Sequence, residues 1–177
     1  MFDPTAFDNM KVIVEGALYD RDLSGEIIIT DRNDIINMAK MSRQFNISFS
    51  IPQGKPKAVL GKMELESKLV HLSAELLPSS HTEQLVGCLV KLYFTFDIKE
   101  VEIDYYELNT ILFGIWGTSR KITLSIQHEP LQPTKREKGI ITVDFERLIT
   151  EDQMDDLVGM TDVMITTQQK LSEYLNK

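Results

Sequence analysis

The sequence predicts an α+β fold with a largely antiparallel sheet of about six or more strands, one short early helix and one long C-terminal amphipathic helix packed on the sheet. Residues 44–51 alternate strictly between apolar and polar side chains, which is typical of a strand with one buried face. Several further strand-like segments follow in hairpin-like succession. Residues 150–177 instead carry apolar side chains at spacings of three and four, which indicates a helix.

The C-terminal helix is the most clearly marked element of the chain. Thr150 and Gln153 match a capping box, so the helix is expected to run from about residue 151 to residue 176. One face of this helix forms a seam in which two polar residues interrupt an apolar stripe. The seam consists of Met154, Leu157, Thr161, Met164, Gln168, Leu171 and Leu175.

The N-terminal third is predicted to form two strands and then a short helix. Residues 12–19 are rich in β-branched and apolar side chains and indicate a strand, residues 20–25 a turn, and residues 26–30 a second strand. Thr30 or Asp31 is expected to cap the short helix. Its apolar side would consist of Ile35, Ile36, Met38, Ala39 and Met41.

The middle of the chain contains two clear strands and one ambiguous region. Residues 59–66 alternate as residues 44–51 do, and residues 92–98 alternate again. Residues 68–91 fit either helix or strand, because leucine and alanine suit both and a possible capping box begins at Ser80.

The remaining segments complete the predicted sheet. Residues 101–105 and 111–116 indicate two further strands, or a strand and a helix, and residues 121–127 and 139–145 indicate two more strands. We expect a single domain over residues 1–177, with a β-rich core in residues 1–147 and the long helix in residues 148–177.

Composition and charge narrow the class of protein. Hydrophobic residues make up 42% of the chain and charged residues 26%, which is typical of a globular domain. The net charge is −8, and residues 144–162 are strongly acidic, so we expect no binding to nucleic acid despite a short basic patch at residues 135–138. We expect no membrane segment and no signal peptide, and the single Cys88 excludes an internal disulfide. A cytoplasmic location follows from these features.

One segment resembles a calcium-binding loop. Asp20, Asp22 and Ser24 occupy positions 1, 3 and 5, Gly25 occupies position 6, and Asp31 occupies position 12 of an EF-hand-like pattern. Such a loop would take Ca²⁺ or Mg²⁺ through these oxygen atoms, and no other cofactor is expected. The alternative is a polar hairpin turn followed by Asp31 as a helix cap.

No motif in the sequence indicates catalysis. The three histidines lack metal-binding spacing, and Cys88 lies in an apolar run typical of core packing. Tyr105, Tyr106 and Trp116 are large amphipathic side chains that suit a ligand pocket, with core packing as the alternative.

These features favour an interaction or assembly module that forms a homodimer, or binds another protein, through the C-terminal seam. In the alternative arrangement the seam packs against the sheet of its own chain. A second functional hypothesis is a protein that binds a small molecule or a divalent cation, or an enzyme, with a pocket between sheet and helix.

Overall fold

The computed structural model describes residues 5–52, 58–77, 82–98, 103–131 and 137–177. The helices are α1 (Thr5–Leu23), α2 (Leu69–Leu76), α3 (Tyr105–Trp116) and α4 (Met154–Leu175). The strands are β1 (Ile28–Asn37), β2 (Ser42–Ser50), β3 (Leu60–Ser67), β4 (Cys88–Ile98), β5 (Lys121–His128) and β6 (Glu137–Ile149).

The strands form one six-stranded antiparallel sheet in the order β1-β2-β3-β4-β6-β5. Alternate residues along the central strands are buried, because one face of the sheet is covered by helices and the other carries mostly polar side chains. On the covered face, Met63 of β3 lies opposite Leu92 of β4, which in turn lies opposite Val143 of β6. The predicted α+β class with a largely antiparallel sheet is therefore confirmed.

The helical layer on the covered face consists of α1, α4 and α3. The central helix α4 contacts α1 on one side and α3 on the other. Between α4 and α3, the hydroxyl of Tyr174 donates a hydrogen bond to the backbone oxygen of Asp104 at 3.1 Å. The predicted long C-terminal helix is thus present and lies against the sheet.

The start of α4 follows the predicted capping signal. Thr150 and Gln153 form a reciprocal capping box around a short 3-10 turn at Glu151–Gln153, which leads directly into α4. These contacts satisfy backbone N–H groups that the first helical turn leaves without partners.

A buried glutamine fastens α4 to the end of the β2–β3 pair. The Nε2 of Gln168 donates to the backbone oxygens of Phe49 and Val59, at 2.9 and 3.0 Å. Gly61 leaves the space for this amide, because a Cβ at that position would lie 2.9 Å from the Nε2 of Gln168. The polar residue in the seam therefore serves the packing of its own chain.

The N-terminal third differs from the prediction. Residues 12–19, expected as a strand, lie within the 19-residue helix α1. The short helix expected after residue 30 is absent from the described part of the chain, since those residues form β1 and the turn that joins it to β2. The early helix is therefore long and N-terminal rather than short and internal.

Two ambiguous regions are resolved by the structure. The segment after β3 forms the helix α2, and a short 3-10 turn precedes β4. Residues 111–116, which fitted either a strand or a helix, are the second half of α3, whose first turn is capped by Asp104. Residues 101 and 102 of the other expected strand, and residues 78–81 with their proposed capping box, lie outside the described residues.

Replacing Gln168 by alanine is expected to lower the free energy of unfolding by about 3 kcal/mol, because it removes two buried hydrogen bonds and leaves a cavity. Urea denaturation measures the change. The exposed neighbour Gln169 provides the control, and Gln169→Ala should alter stability by less than about 0.5 kcal/mol. Equal effects of the two substitutions would contradict the role assigned to Gln168.

Candidate functional site

The C-terminal seam is buried within its own chain. Leu157, Thr161, Met164 and Leu171 are each 0% exposed. Gln168 and Leu175 are also buried, and Met154 is partly buried against the same core. The seam therefore packs within its own chain, as in the intramolecular alternative, and it is not exposed for contact with a second copy.

The residues of the predicted cation loop have other structural roles. Asp20 and Asp22 lie in the last turn of α1, and Asp31 lies in β1. The Oδ1 of Asp22 accepts a hydrogen bond from the backbone of Ile29 at 3.0 Å, which ties the helix end to the strand. Ser24 donates from its hydroxyl to a backbone oxygen of the same helix.

Residues 20–31 form neither the predicted cation-binding loop nor the alternative hairpin turn with Asp31 as a helix cap. The helical end of α1 replaces the expected loop, and Asp31 caps no helix because it pairs with Ser48 of β2. Within the described ranges, no group of three His, Cys, Asp or Glu side chains is arranged to hold a metal ion.

Of the three aromatic residues predicted to line one pocket, Trp116 lies apart from the two tyrosines. Trp116 is buried between Phe94 and Phe145, with ring centroids 6.4 and 6.2 Å away. Its indole nitrogen is buried without a hydrogen-bond partner in the described part of the chain. Trp116 therefore belongs to the core.

Tyr105 and Tyr106 do line a groove, of about 380 Å³, between α3 and β5. Ile122 and Leu124 form the strand side of the groove, and Asn109 contributes a polar group. Both tyrosines are more than half exposed, so the groove is shallow and open.

Ion pairs hold α1 along the edge strand β1. Lys11 of α1 binds the carboxylate of Asp34 at 2.8 Å, and Glu15 of α1 pairs with Arg32. Arg43 of β2 also binds Asp34 at 2.9 Å, and thereby joins the second strand to the same cluster. The contacts lie along one side of α1, so that side of the helix faces β1.

Other contacts join α1 to α4 and to the 3-10 turn before α4. Arg21 pairs with Asp162, and the side-chain amide of Asn9 donates to Glu151 at 2.6 Å. The helix is thus fixed between α4 and the edge of the sheet. Its core-facing side consists of Phe7, Met10, Val14 and Leu18.

The outward side of α1 carries a second apolar stripe. Val12, Gly16, Tyr19 and Leu23 follow one another at spacings of four, three and four, so they lie on one face of the helix. Val12 is 59% exposed and Leu23 is 85% exposed. We call these four residues the outer stripe. A helix with apolar residues on a solvent-facing side is typical of a contact surface.

The strand below the outer stripe has a free edge. Within the described residues, β1 pairs with β2 only, and its other edge leaves backbone N–H and C=O groups without strand partners. Ile28 and Ile36 of this strand are 48% and 64% exposed. The free edge and the outer stripe therefore form one continuous lateral surface.

An apolar pocket lies at one end of this surface. Its volume is about 240 Å³, and it is formed by the end of β1, the turn to β2 and the helix α2. Its apolar lining residues are Ile36, Met38, Met41, Leu69 and Leu72.

The ion-pair cluster shifts the titration of Asp34. Hydrogen bonding to Arg43, followed by that to Lys11, lowers the pKa of Asp34 from 3.8 to about 2 although partial burial opposes the shift. The same contacts raise the pKa of Arg43. Asp34 therefore keeps its charge throughout the neutral range.

Burial raises the pKa of the Cys88 thiol to about 12. Such a thiol is typical of a core residue rather than of a nucleophile.

The sequence contains the spacing of the outer stripe, but the consecutive β-branched residues from Val12 to Val14 favoured a strand there. The ion pairs between α1 and β1 have no local sequence signal, since their members are separated by 17 and 23 residues.

Of the short basic patch at residues 135–138, only Glu137 and Lys138 are among the described residues.

Replacing Asp34 by asparagine should lower stability at neutral pH, on the order of 1 kcal/mol after allowance for solvent screening. Because the folded-state pKa of Asp34 is lowered, its contribution is complete above about pH 4 and is lost as the pH falls towards 2. Urea denaturation of wild type and Asp34→Asn at several pH values measures this difference. Asp31→Asn, on the other face of β1, is the control. A difference between wild type and Asp34→Asn that stays constant down to pH 2 would contradict the assignment.

Comparison with known proteins gives no match, whether with protein-family models, with curated proteins or with solved structures. Among the described residues, no helix is both long enough and apolar enough to cross a membrane. We therefore infer the function from the surfaces and charges of this chain.

Proposed function

We propose that this protein is a non-catalytic assembly module that forms a homodimer through the free edge of β1 and the outer stripe of α1. The observation that carries the proposal is the joint exposure of an unpaired strand edge and an apolar helix face on one side of the molecule. Each feature alone is common on protein surfaces. Their combination gives a partner both backbone hydrogen bonds and apolar burial.

A second copy of the same chain fits the strand edge. Two β1 strands related by a two-fold axis perpendicular to the sheet run antiparallel, so they extend the antiparallel sheet across the dimer. Such an arrangement keeps both helical layers on the same side. It also removes an exposed strand edge, which is otherwise a site of unspecific aggregation.

The charges of β1 favour one register of this pairing. With Asn33 opposite Asn33 of the second copy, Arg32 lies opposite Asp34 of the second copy, and the reciprocal pair lies on the other side of the axis. Both side chains lie on the helix-covered face, where their partners in β2 are Ile47 and Phe45. Opposite charges in directly facing positions stabilise an antiparallel pair.

The neighbouring registers are electrostatically unfavourable. Those that keep the helical layers on one side place Arg32 opposite Arg32 of the second copy, or Asp34 opposite Asp34. Like charges in facing positions destabilise the pair. The edge is therefore self-complementary in one register, which supports a second copy as the partner.

The same register brings the two outer stripes towards each other. Lys11 and Glu15 lie beside the centre of β1 through their ion pairs, so the stripe residues Val12 and Gly16 lie close to the proposed axis. A Cβ at Gly16 would meet no atom within 4 Å, which leaves open space for a side chain of the second copy. The two α1 helices can then pack across the axis and bury apolar surface.

We also propose where the protein acts and which kind of partner it binds. A cytoplasmic location is supported by the single cysteine, which is buried and unpaired. Binding of a different protein to the same lateral surface remains the alternative partner, and the oligomeric state of the pure protein separates the two.

The groove between α3 and β5 favours a second candidate function, which is binding of a small amphipathic ligand. Tyr105 and Tyr106 offer aromatic faces and hydroxyl groups above an apolar floor. A thermal-shift screen of metabolites tests this function. A ligand that binds the groove should raise the melting temperature of wild type but not that of Tyr106→Ala.

Replacing Val12 by lysine is expected to convert the dimer into a monomer, because it places a charge at the centre of the proposed helix contact. Sedimentation equilibrium measures the association state, and the dissociation constant should rise at least about tenfold. Leu131→Lys is the matched control, since Leu131 is 97% exposed and lies away from this surface. Circular dichroism verifies that both variants stay folded.

A wild-type protein that is monomeric at high concentration would exclude the proposed self-association. A dimer that is weakened equally by both substitutions would place the interface elsewhere.

A further inference from the structure

The contacts between α1 and β1 fix how positions along the helix correspond to positions along the strand. Lys11 lies beside Asp34 and Asp22 lies beside Ile29. Eleven helical residues at 1.5 Å and five strand residues at about 3.3 Å both span roughly 16 Å. The helix therefore runs antiparallel to the strand, and the two segments between these contacts span nearly the same distance.

This correspondence locates Leu23, the last residue of α1. It follows Asp22, so it lies beside Ile28 and Ile29 at the start of β1. Leu23 is 85% exposed, so its side chain lies outside the core formed by the described residues. In the proposed register, the start of one β1 strand lies opposite the end of β1 in the second copy, next to Met38.

The apolar pocket lies at that end of the second copy. Ile36 and Met38 form its β1 side, and Leu69 and Leu72 form its α2 side. Ile36 points to the helix-covered face, since its partner in β2 is Arg43 of the same face, and α1 also lies on this face. The volume of about 240 Å³ exceeds the roughly 150 Å³ that accommodates a benzene ring in a protein cavity. A leucine side chain therefore fits.

We infer that Leu23 of each copy inserts into the pocket between the β1–β2 turn and α2 of the other copy. This inference rests on the proposed dimer, and it specifies what closes the two ends of the interface. The two-fold axis makes the contact reciprocal, so each dimer contains two such insertions. A large aliphatic side chain in a partner's apolar pocket is typical of the residues that dominate binding energy.

Cross-linking of single-cysteine variants tests this contact directly. Leu23→Cys and Met38→Cys are prepared with different affinity tags, mixed, allowed to exchange subunits and treated with a short bismaleimide. Both positions are highly exposed, so the substitutions should not disturb folding, and the buried Cys88 can remain in place. The expected product joins one tagged variant to the other.

Cross-links within one chain, or between two copies of the same variant, should be minor products. Leu23 and Met38 of one chain are about 30 Å apart along β1, as are the two copies of either residue across the proposed axis. Asn33→Cys serves as a separate test of the dimer itself, because the two copies of this residue face each other at the axis. A cross-linked Asn33→Cys homodimer is therefore expected as well.

The two proposals fail in distinguishable ways. A cross-linked Asn33→Cys dimer without any product between the Leu23 and Met38 variants overturns the inserted leucine and leaves the dimer standing. Absence of both products overturns the dimer and the insertion together.

The contribution of the insertion to affinity is measured separately. Leu23→Ser should raise the dissociation constant by about tenfold or more, whereas Leu131→Ser should leave it unchanged. Equal constants for Leu23→Ser and wild type would also overturn the insertion.

Discussion

The position of α1 over the edge of the sheet is the constraint on which the surface of this protein depends. The centre of the covered face is occupied by α4, whose seam from Leu157 to Leu175 is buried there. The remaining place for α1 is beside α4 and above β1, where Lys11 and Glu15 fasten it to the strand. A helix at the border of a sheet can bury only part of its circumference, so the outer stripe stays uncovered.

The charges of β1 have two consequences that follow from the same geometry. Within one chain, Arg32 and Asp34 lie on the helix-covered face, where they form ion pairs with α1 and β2. At the free edge, the same two residues are separated by one position and carry opposite charge. This spacing makes the edge complementary to itself, and it disfavours neighbouring registers. Charged residues near a strand edge commonly prevent association, whereas here their order permits one specific pairing.

Much of the fold was predictable because most elements carry local signals. Strict alternation identified β2, β3 and the later strands, and the capping box at Thr150 identified the start of α4. The errors concern α1 and β1. Because apolar residues lie on two sides of α1, its sequence lacks the clear separation of apolar and polar faces that marks an amphipathic helix. Charged residues on the covered face of β1 interrupt the alternation of apolar and polar side chains expected of a strand. Both departures arise from contacts between elements, which no local pattern contains.

The candidate surface was not predictable for the same reason. The seam of α4 has the spacing of an interface, yet the sheet of its own chain satisfies it, and Gln168 interacts with the β2–β3 end rather than with a second helix. Sequence periodicity reveals that a face must be covered and does not reveal what covers it. The four residues of the outer stripe became recognisable only after the two flanks of α1 were assigned to β1 and α4.

Amide hydrogen exchange as a function of protein concentration tests the central claim most directly. The two edge strands β1 and β5 provide an internal comparison, since each has one free edge among the described residues. Pairing of two copies through β1 predicts that amides in the centre of β1 exchange more slowly as the concentration rises, while those of β5 stay unchanged. Exchange in β1 that is independent of concentration, in a protein that otherwise stays folded, would contradict the account.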